Sequence, residues 1–354
     1  MPLKSSRTTL VNLKKRLALA AQVLRNGQLD EPRRREIPSI TAEQIAEVRE
    51  FFPLPKFFIF GHARSGTTLL TRLVRLHREV HCNYQAHFFT RLPLLQSLVA
   101  DPEVGEWLAR RSNRWNRGQD LSPLVMRVTA DFILEREARQ LGKRIVGDKS
   151  PNSLLEEAAV SLMHQVYPDA SLIFIVRDGR DMAVSHRFQN FIDAAQHLPA
   201  EDLRLREAFT QDPQPFLSGQ RSIFTRAALL REASGWARNV TRTDQEARRL
   251  YGEKYLHLRY EDLLERPLAE LQRLWNFLGA DAEAPGMEQA VAAELASNPD
   301  ADWQKHKAAG LIEPLEKGKR GSWRSLFNVE DRRVFKQQAG EALIAWDYEP
   351  GLDW

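Results

Sequence analysis

Cysteine occurs once in 354 residues, at Cys82, so an intrachain disulfide framework and a cysteine-built metal cluster are both excluded. A lone thiol fits a reducing compartment, and the cytoplasm is the expected setting. No apolar run approaches the roughly 20 residues that a transmembrane helix requires, and charges interrupt every candidate core of a secretory signal. A strong excess of one charge is also missing. The 51 Lys and Arg face 47 Asp and Glu, interspersed along the chain, which argues weakly for an anionic ligand and gives nucleic acid no support as a partner. Internal repeats and low-complexity tracts are absent, so a repeat architecture is not expected.

What remains is globular: 43% of residues are hydrophobic and 28% charged, enough for one α/β core with insertions. Residues 1–55 read as a helical lead-in. There Leu10, Leu13, Leu17 and Leu24 recur at helical spacing beside Lys14, Lys15, Arg16 and Arg25. This basic amphipathic helix is expected to pack on its own domain, with a membrane surface or a partner helix as alternatives. After Pro53 and Pro55, residues 56–354 form the main domain. The run Phe57-Phe58-Ile59-Phe60 predicts a buried strand broken at Gly61, and a helix follows from about Thr67 to Leu76. Arg144-Ile145-Val146 predicts a short strand, residues 171–176 a stronger one, and residues 255–258 a third. Helices are expected from about residue 154 to 166 and from Asp178 onward. This alternation predicts an α/β fold with a P-loop-like core and a mainly parallel sheet of four or five strands, whose ligands sit at the carboxyl ends. Stretches near 90–142 and 189–235, rich in Arg and aromatics, break the alternation. They read as helical insertions that shape an acceptor site.

The most specific segment is Gly61-His62-Ala63-Arg64-Ser65-Gly66-Thr67-Thr68, between a strand and a helix. Its glycines let the backbone turn tightly around an anion, and the helix N-terminus adds positive potential. Ser65, Thr67 and Thr68 add hydroxyl donors. The glycine spacing equals that of a nucleoside-triphosphatase loop, but Thr67 replaces the usual lysine and the basic residue is Arg64, so the usual triphosphate and Mg²⁺ geometry is not expected. A second strand-to-helix segment, Arg177-Asp178-Gly179-Arg180-Asp181-Met182-Ala183-Val184-Ser185, offers Arg177 and Ser185 to another phosphate.

The Arg-Ser-Gly-Thr-Thr loop after a hydrophobic strand resembles the 5′-phosphosulfate loop of the sulfotransferase superfamily, in the style of its bacterial and tyrosylprotein-type members. The Arg177–Ser185 segment resembles the family's 3′-phosphate motif. Gly147-Asp148-Lys149-Ser150-Pro151 is similar to its Glu-Lys-Thr-Pro element, whose lysine lies near the sulfuryl group. The segment Tyr260-Glu261-Asp262-Leu263-Leu264 resembles the one whose tyrosine lies near the adenine. Lys317 and Gly318, followed by Gly321, Trp323 and Arg324, resemble the loop that closes over the 3′-phosphate, although Glu316 replaces a common arginine. The likeness spans roughly 57–348. It implies a sulfotransferase that moves a sulfuryl group from 3′-phosphoadenosine 5′-phosphosulfate (PAPS), as co-substrate and without a metal, to a hydroxyl or less readily an amine. Arg64 and Lys149 then stabilise the leaving-group oxygen. Many family members carry a glutamate that would take the acceptor proton where this chain has Gln85, an amide that cannot take a proton at neutral pH. His87 is the nearest suitable base, with His62 and Asp148 as alternatives. The acceptor, whether carbohydrate, peptide or small molecule, is not legible, and a homo-oligomer is compatible with the sequence. The rival readings are a kinase or hydrolase on a variant phosphate loop and a catalytically inactive PAPS-binding protein.

Overall fold

Four bulky apolar residues in a row have no polar side to turn to water, so Phe57-Phe58-Ile59-Phe60 needs cover on both faces. In the computed structural model these residues lie in strand β1 (Lys56–Gly61), buried throughout. The structure describes residues 17, 21, 36–91, 94–155, 157–297 and 320–354. The lead-in positions Leu10, Leu13, Lys14, Lys15, Arg16, Leu24 and Arg25, and the loop residues Glu316, Lys317 and Gly318, fall outside the described residues.

Five strands form one sheet: β1, β2 (Val80–Tyr84), β3 (Ile145–Lys149), β4 (Ser171–Val176) and β5 (Tyr255–Arg259), in the order β2-β3-β1-β4-β5. All four pairings are parallel. Parallel neighbours require crossovers, and helices supply them: α1 (Thr67–Val74) after β1, α2 (Ser122–Gln140) before β3, α3 (Glu157–Val166) before β4, then α4 (Gly179–Asp193) and α5 (Arg226–Tyr251) before β5. The chain leaves β1 toward β2 and leaves β4 toward β5, while β1 and β4 are neighbours. Their diverging exits open a crevice at the carboxyl ends, the place where such sheets hold ligands.

One face of the sheet buries Phe57, Ile59, Ile173, Ile175 and Leu258 with Leu70, Leu73 and Val74 of α1 and with Leu271, Leu274 and Trp275. Elsewhere α5 packs on α3 and on α6 (Val329–Ala345), whose Phe335 ring lies 6.3 Å from that of Trp236. Two glycines are fixed by packing. A Cβ on Gly61 would lie 2.8 Å from the Ile175 oxygen, and one on Gly147 would lie 2.5 Å from the Phe57 oxygen. Lys56, at the start of β1, is buried but fully engaged: its Nζ donates to Glu135 Oε1 at 2.6 Å and to the Leu54 oxygen at 2.6 Å, fastening α2 to the sheet.

Several boundaries differ from the sequence expectation. β2 was not expected at all. β3 excludes Arg144 and runs on through Gly147-Asp148-Lys149, placing Lys149 at its carboxyl end. α3 begins at Glu157, because Asn152 first ties the chain to β1 by donating its backbone N–H to the Gly61 oxygen at 3.1 Å. α5 is one helix of 26 residues that passes straight through Gly235, a single helical glycine being tolerable.

By its contacts the chain divides into two compact units, Met1–Pro38 with Val99–Ser122 and Ser39–Leu98 with Pro123–Trp354. In the first, the rings of Trp107 and Trp115 stack 4.8 Å apart, and buried Asn116 donates to the oxygens of Leu108 and Arg110. The whole sheet belongs to the second. No helix among the described residues is long and apolar enough to cross a membrane.

Candidate active site

The loop between β1 and α1 turns left-handed twice, at Arg64 (φ 70°) and at Gly66 (φ 86°). Glycine takes this conformation freely, whereas Arg64 bears a cost of roughly 1–2 kcal/mol that its surroundings must offset. Gly66 is also pressed by the Tyr260 ring, since a Cβ there would lie 2.2 Å from Tyr260 Cδ2. Gly66 caps α1 with no side-chain hydrogen bond, so its helix N-terminus offers free backbone donors to an anion. Ser65 is fully buried, and among the described residues its hydroxyl has no hydrogen-bond partner. A buried hydroxyl left without a partner is costly, and a phosphate oxygen would satisfy it.

Gly66→Ala should therefore lower the melting temperature more than Gly142→Ala, because Gly142 shares a positive φ (64°) but has open space around its would-be Cβ. Equal shifts in differential scanning calorimetry would mean that the Tyr260 contact is not tight.

Two arginines meet at this loop, Arg64 within it and Arg177 from the end of β4. Arg64 Nε donates to Ser185 Oγ at 3.1 Å, joining the loop after β1 to the middle of α4. Arg177 lies almost wholly buried at the end of β4. Its Nη1 donates to the Arg64 oxygen at 3.3 Å, and its guanidinium carbon sits 5.0 Å from the centroid of the Tyr260 ring. From the other side, buried Lys149 donates from Nζ to Thr68 Oγ1 at 3.3 Å. Burial lowers the pKa of both Arg64 and Lys149, and the neighbouring Arg177 charge lowers that of Arg64 further. Cations gathered out of water against their own repulsion are the electrostatic mark of an anion site. The structure thus brings together Arg64, Ser65, Gly66, Thr67, Thr68, Lys149, Arg177, Ser185 and Tyr260, whereas Lys317 and Gly318 lie outside the described residues.

The candidate bases have different surroundings. His62 is buried with Nδ1 3.1 Å from the Ala63 oxygen, and desolvation pushes its pKa down to about 4, so it is neutral at physiological pH. His87 is partly exposed. Its Nδ1 lies 2.8 Å from Thr90 Oγ1, and its pKa is lowered by burial and then by the charges of Arg91 and Lys149. Asp148 is buried, and desolvation raises its carboxyl to about 6 against the hydrogen bonds it accepts. Gln85 lies next to Lys149, donating its backbone N–H to the Lys149 oxygen at 2.7 Å.

Two arrangements were not foreseen from the sequence. Asp181 accepts from the backbone N–H groups of Gly321 (2.6 Å) and Trp323 (3.1 Å), pinning the C-terminal segment across the start of α4. Beside it, the Arg180 guanidinium lies between the Trp323 and Trp354 rings, 3.9 and 4.4 Å from their centroids. The second is an imidazole–carboxylate pair, His186 Nδ1 to Glu232 Oε2 at 2.9 Å. Glu232 also lines a pocket of about 210 Å³ with Arg187, Asn190, Asp202 and Arg231. No spacing rule links positions 186 and 232, so only the fold shows this pair. Among the described residues no group of three or more His, Cys, Asp or Glu is arranged to hold a metal ion.

Residues 55–284 match the family profile described as "Sulfotransferase family". The nodulation protein NoeE of Sinorhizobium fredii (strain NBRC 101917 / NGR234) is 24% identical over 309 residues, covering 86% of this chain and 68% of that protein. Protein-tyrosine sulfotransferase A of Caenorhabditis elegans is 28% identical over 134 residues, 36% of this chain and 31% of that protein, so the match spans less than a third of that relative. Among solved structures, mouse sulfotransferase SULT7A1 complexed with PAP aligns with a TM-score of 0.44 at 17% identity, covering 87% of this chain and 92% of the other.

Proposed function

Because the chain belongs to the sulfotransferase family, we propose that it transfers the sulfuryl group of PAPS to an acceptor hydroxyl and releases adenosine 3′,5′-bisphosphate (PAP). The observation that supports this most directly is the 3.1 Å hydrogen bond from Arg64 to Ser185, which joins two anion-binding segments 121 residues apart in sequence. PAPS carries a 5′-phosphosulfate and a separate 3′-phosphate, and paired sites of this kind suit it. In this reading Arg64, Ser65, Gly66, Thr67 and Thr68 hold the 5′ end. Arg177 and Ser185 hold the 3′-phosphate, with Lys317 and Gly318 as further donors, and Tyr260 serves the adenine side.

The acceptor oxygen attacks sulfur in line, the bond from sulfur to the bridging oxygen breaks, and PAP departs with that electron pair. Negative charge grows on the bridging oxygen, where Arg64 and Lys149 stabilise it. The acceptor proton passes to His87. The charge that a metal would otherwise supply comes from these cations, so a metal-independent reaction is proposed. The lone buried thiol supports a cytoplasmic setting.

PAP should raise the melting temperature in the presence of chelator, and more than adenosine monophosphate does, because a ligand that binds only the native state stabilises it. Arg177→Ala and Ser185→Ala should each shrink that shift, the arginine change more, since a charge-assisted contact is worth about twice a neutral one. Equal shifts from the two nucleotides would remove the 3′-phosphate assignment. The acceptor is approached by a screen with radiolabelled PAPS over hydroxyl-bearing carbohydrates, small alcohols and tyrosine peptides. The peptides are included because of the name of the worm relative.

A further inference from the structure

Two residues of the turn that follows β2, Gln85 and His87, are left-handed (φ 53° at both), and neither is a glycine. Such a turn persists only where its surroundings over-determine it. Here three successive backbone N–H groups are taken, one each, by three successive residues of the neighbouring strand end. Gln85 donates to the Lys149 oxygen at 2.7 Å, Ala86 to Asp148 Oδ1 at 3.0 Å, and His87 to Ser150 Oγ at 3.0 Å. The two side chains are themselves joined, Ser150 Oγ donating to Asp148 Oδ2 at 2.6 Å. Asp148 and Ser150 are both about 2% exposed, so water does not compete for these bonds.

We infer that Asp148 and Ser150 are positioning residues that hold the Gln85-Ala86-His87 turn, and with it the His87 imidazole, against Lys149. The inference rests on the sulfotransferase reading given above and deepens it. The tripeptide Asp148-Lys149-Ser150 then has a divided task. The lysine side chain points its charge at the Thr68 hydroxyl of the anion loop, while its two neighbours grip the turn that carries the proton acceptor. The serine is suited to this because a hydroxyl accepts from His87 while donating to Asp148, which alanine cannot do. Each oxygen of the Asp148 carboxylate is engaged in this grip, one by the Ala86 N–H and one by the Ser150 hydroxyl.

The test compares wild type with Ser150→Ala, Ser150→Thr and Asp148→Asn, following PAP affinity by thermal shift, PAP release from PAPS, and the His87 imidazole resonances in PAP-saturated protein. Ser150→Ala should leave PAP affinity within about twofold, lower PAP release by roughly tenfold to a hundredfold as expected for a reacting group displaced by about an ångström, and move the His87 titration midpoint up toward the ordinary value near 6.5. Ser150→Thr, which keeps the hydroxyl, should restore both. Asp148→Asn keeps an acceptor for Ala86 and should lie between them. Unchanged His87 resonances in Ser150→Ala, or a loss of PAP affinity as large as the loss of turnover, would overturn the inference. Failure of the wild type to bind PAP would instead overturn the sulfotransferase reading on which it stands.

Discussion

Lys149→Ala should lower turnover by about 10²–10³, the range seen when one preorganised donor to a developing negative charge is removed. PAP affinity should change far less. Lys149 is buried at the carboxyl end of β3, and its side chain donates to the Thr68 hydroxyl, so it is held in place before any substrate arrives. In the proposed reaction its charge would matter most when the bridging oxygen carries the electron pair of the broken bond, which happens only on the way to products. Arg64→Ala should behave differently, because Arg64 also reaches Ser185 and, in the proposed reading, serves binding as well as chemistry. Steady-state kinetics with an acceptor from the screen, beside PAP thermal shifts, separates the two. A Lys149→Ala variant that loses affinity and turnover in equal measure would make this lysine a binding residue.

His87→Ala should reduce turnover by at least about a hundredfold, the low end of what a positioned base contributes, with PAP affinity intact. The pH dependence gives the sharper check. Only the neutral imidazole accepts a proton, so the rate falls as pH drops through the histidine pKa. Burial and the charges of Arg91 and Lys149 hold that pKa below 6.5, and the acidic limb should therefore lie below pH 6.5 and vanish in His87→Ala. A limb that persists near pH 6 in His87→Ala would implicate Asp148, whose carboxyl is raised to about 6 by burial. His62, driven down to about 4, would place a limb two units lower.

The parts of the fold that the sequence shows plainly are those where a single local rule decides. β1 and β4 are unbroken apolar runs ended by Gly61 and Arg177, and the glycine loop between β1 and α1 follows from that context. β2 was hidden because Val80-His81-Cys82-Asn83-Tyr84 mixes polar and apolar residues. His81 is nonetheless buried, and the segment is a strand only because β3 lies beside it. The turn at Gln85 and His87 was hidden for a related reason. Its left-handed residues are not glycines, and what permits them is a grip from residues 148 and 150, more than 60 positions away. Asp181 had been grouped with a phosphate motif, yet its carboxylate is occupied by the backbone of Gly321 and Trp323.

The strand order has a consequence during synthesis. β1 sits at the centre of the sheet, but both of its neighbours lie downstream, β3 ending at Lys149 and β4 at Val176. A ribosome adding about 5–20 residues per second needs roughly 6–23 s to pass from the end of β1 to the end of β4. Until β3 has been made, Phe57-Phe58-Ile59-Phe60 has neither pairing edge satisfied, and until β4 follows it still lacks one. The nascent chain therefore exposes an apolar segment early, and the loop between β1 and α1 gains its flanking strands only once Val176 has been made.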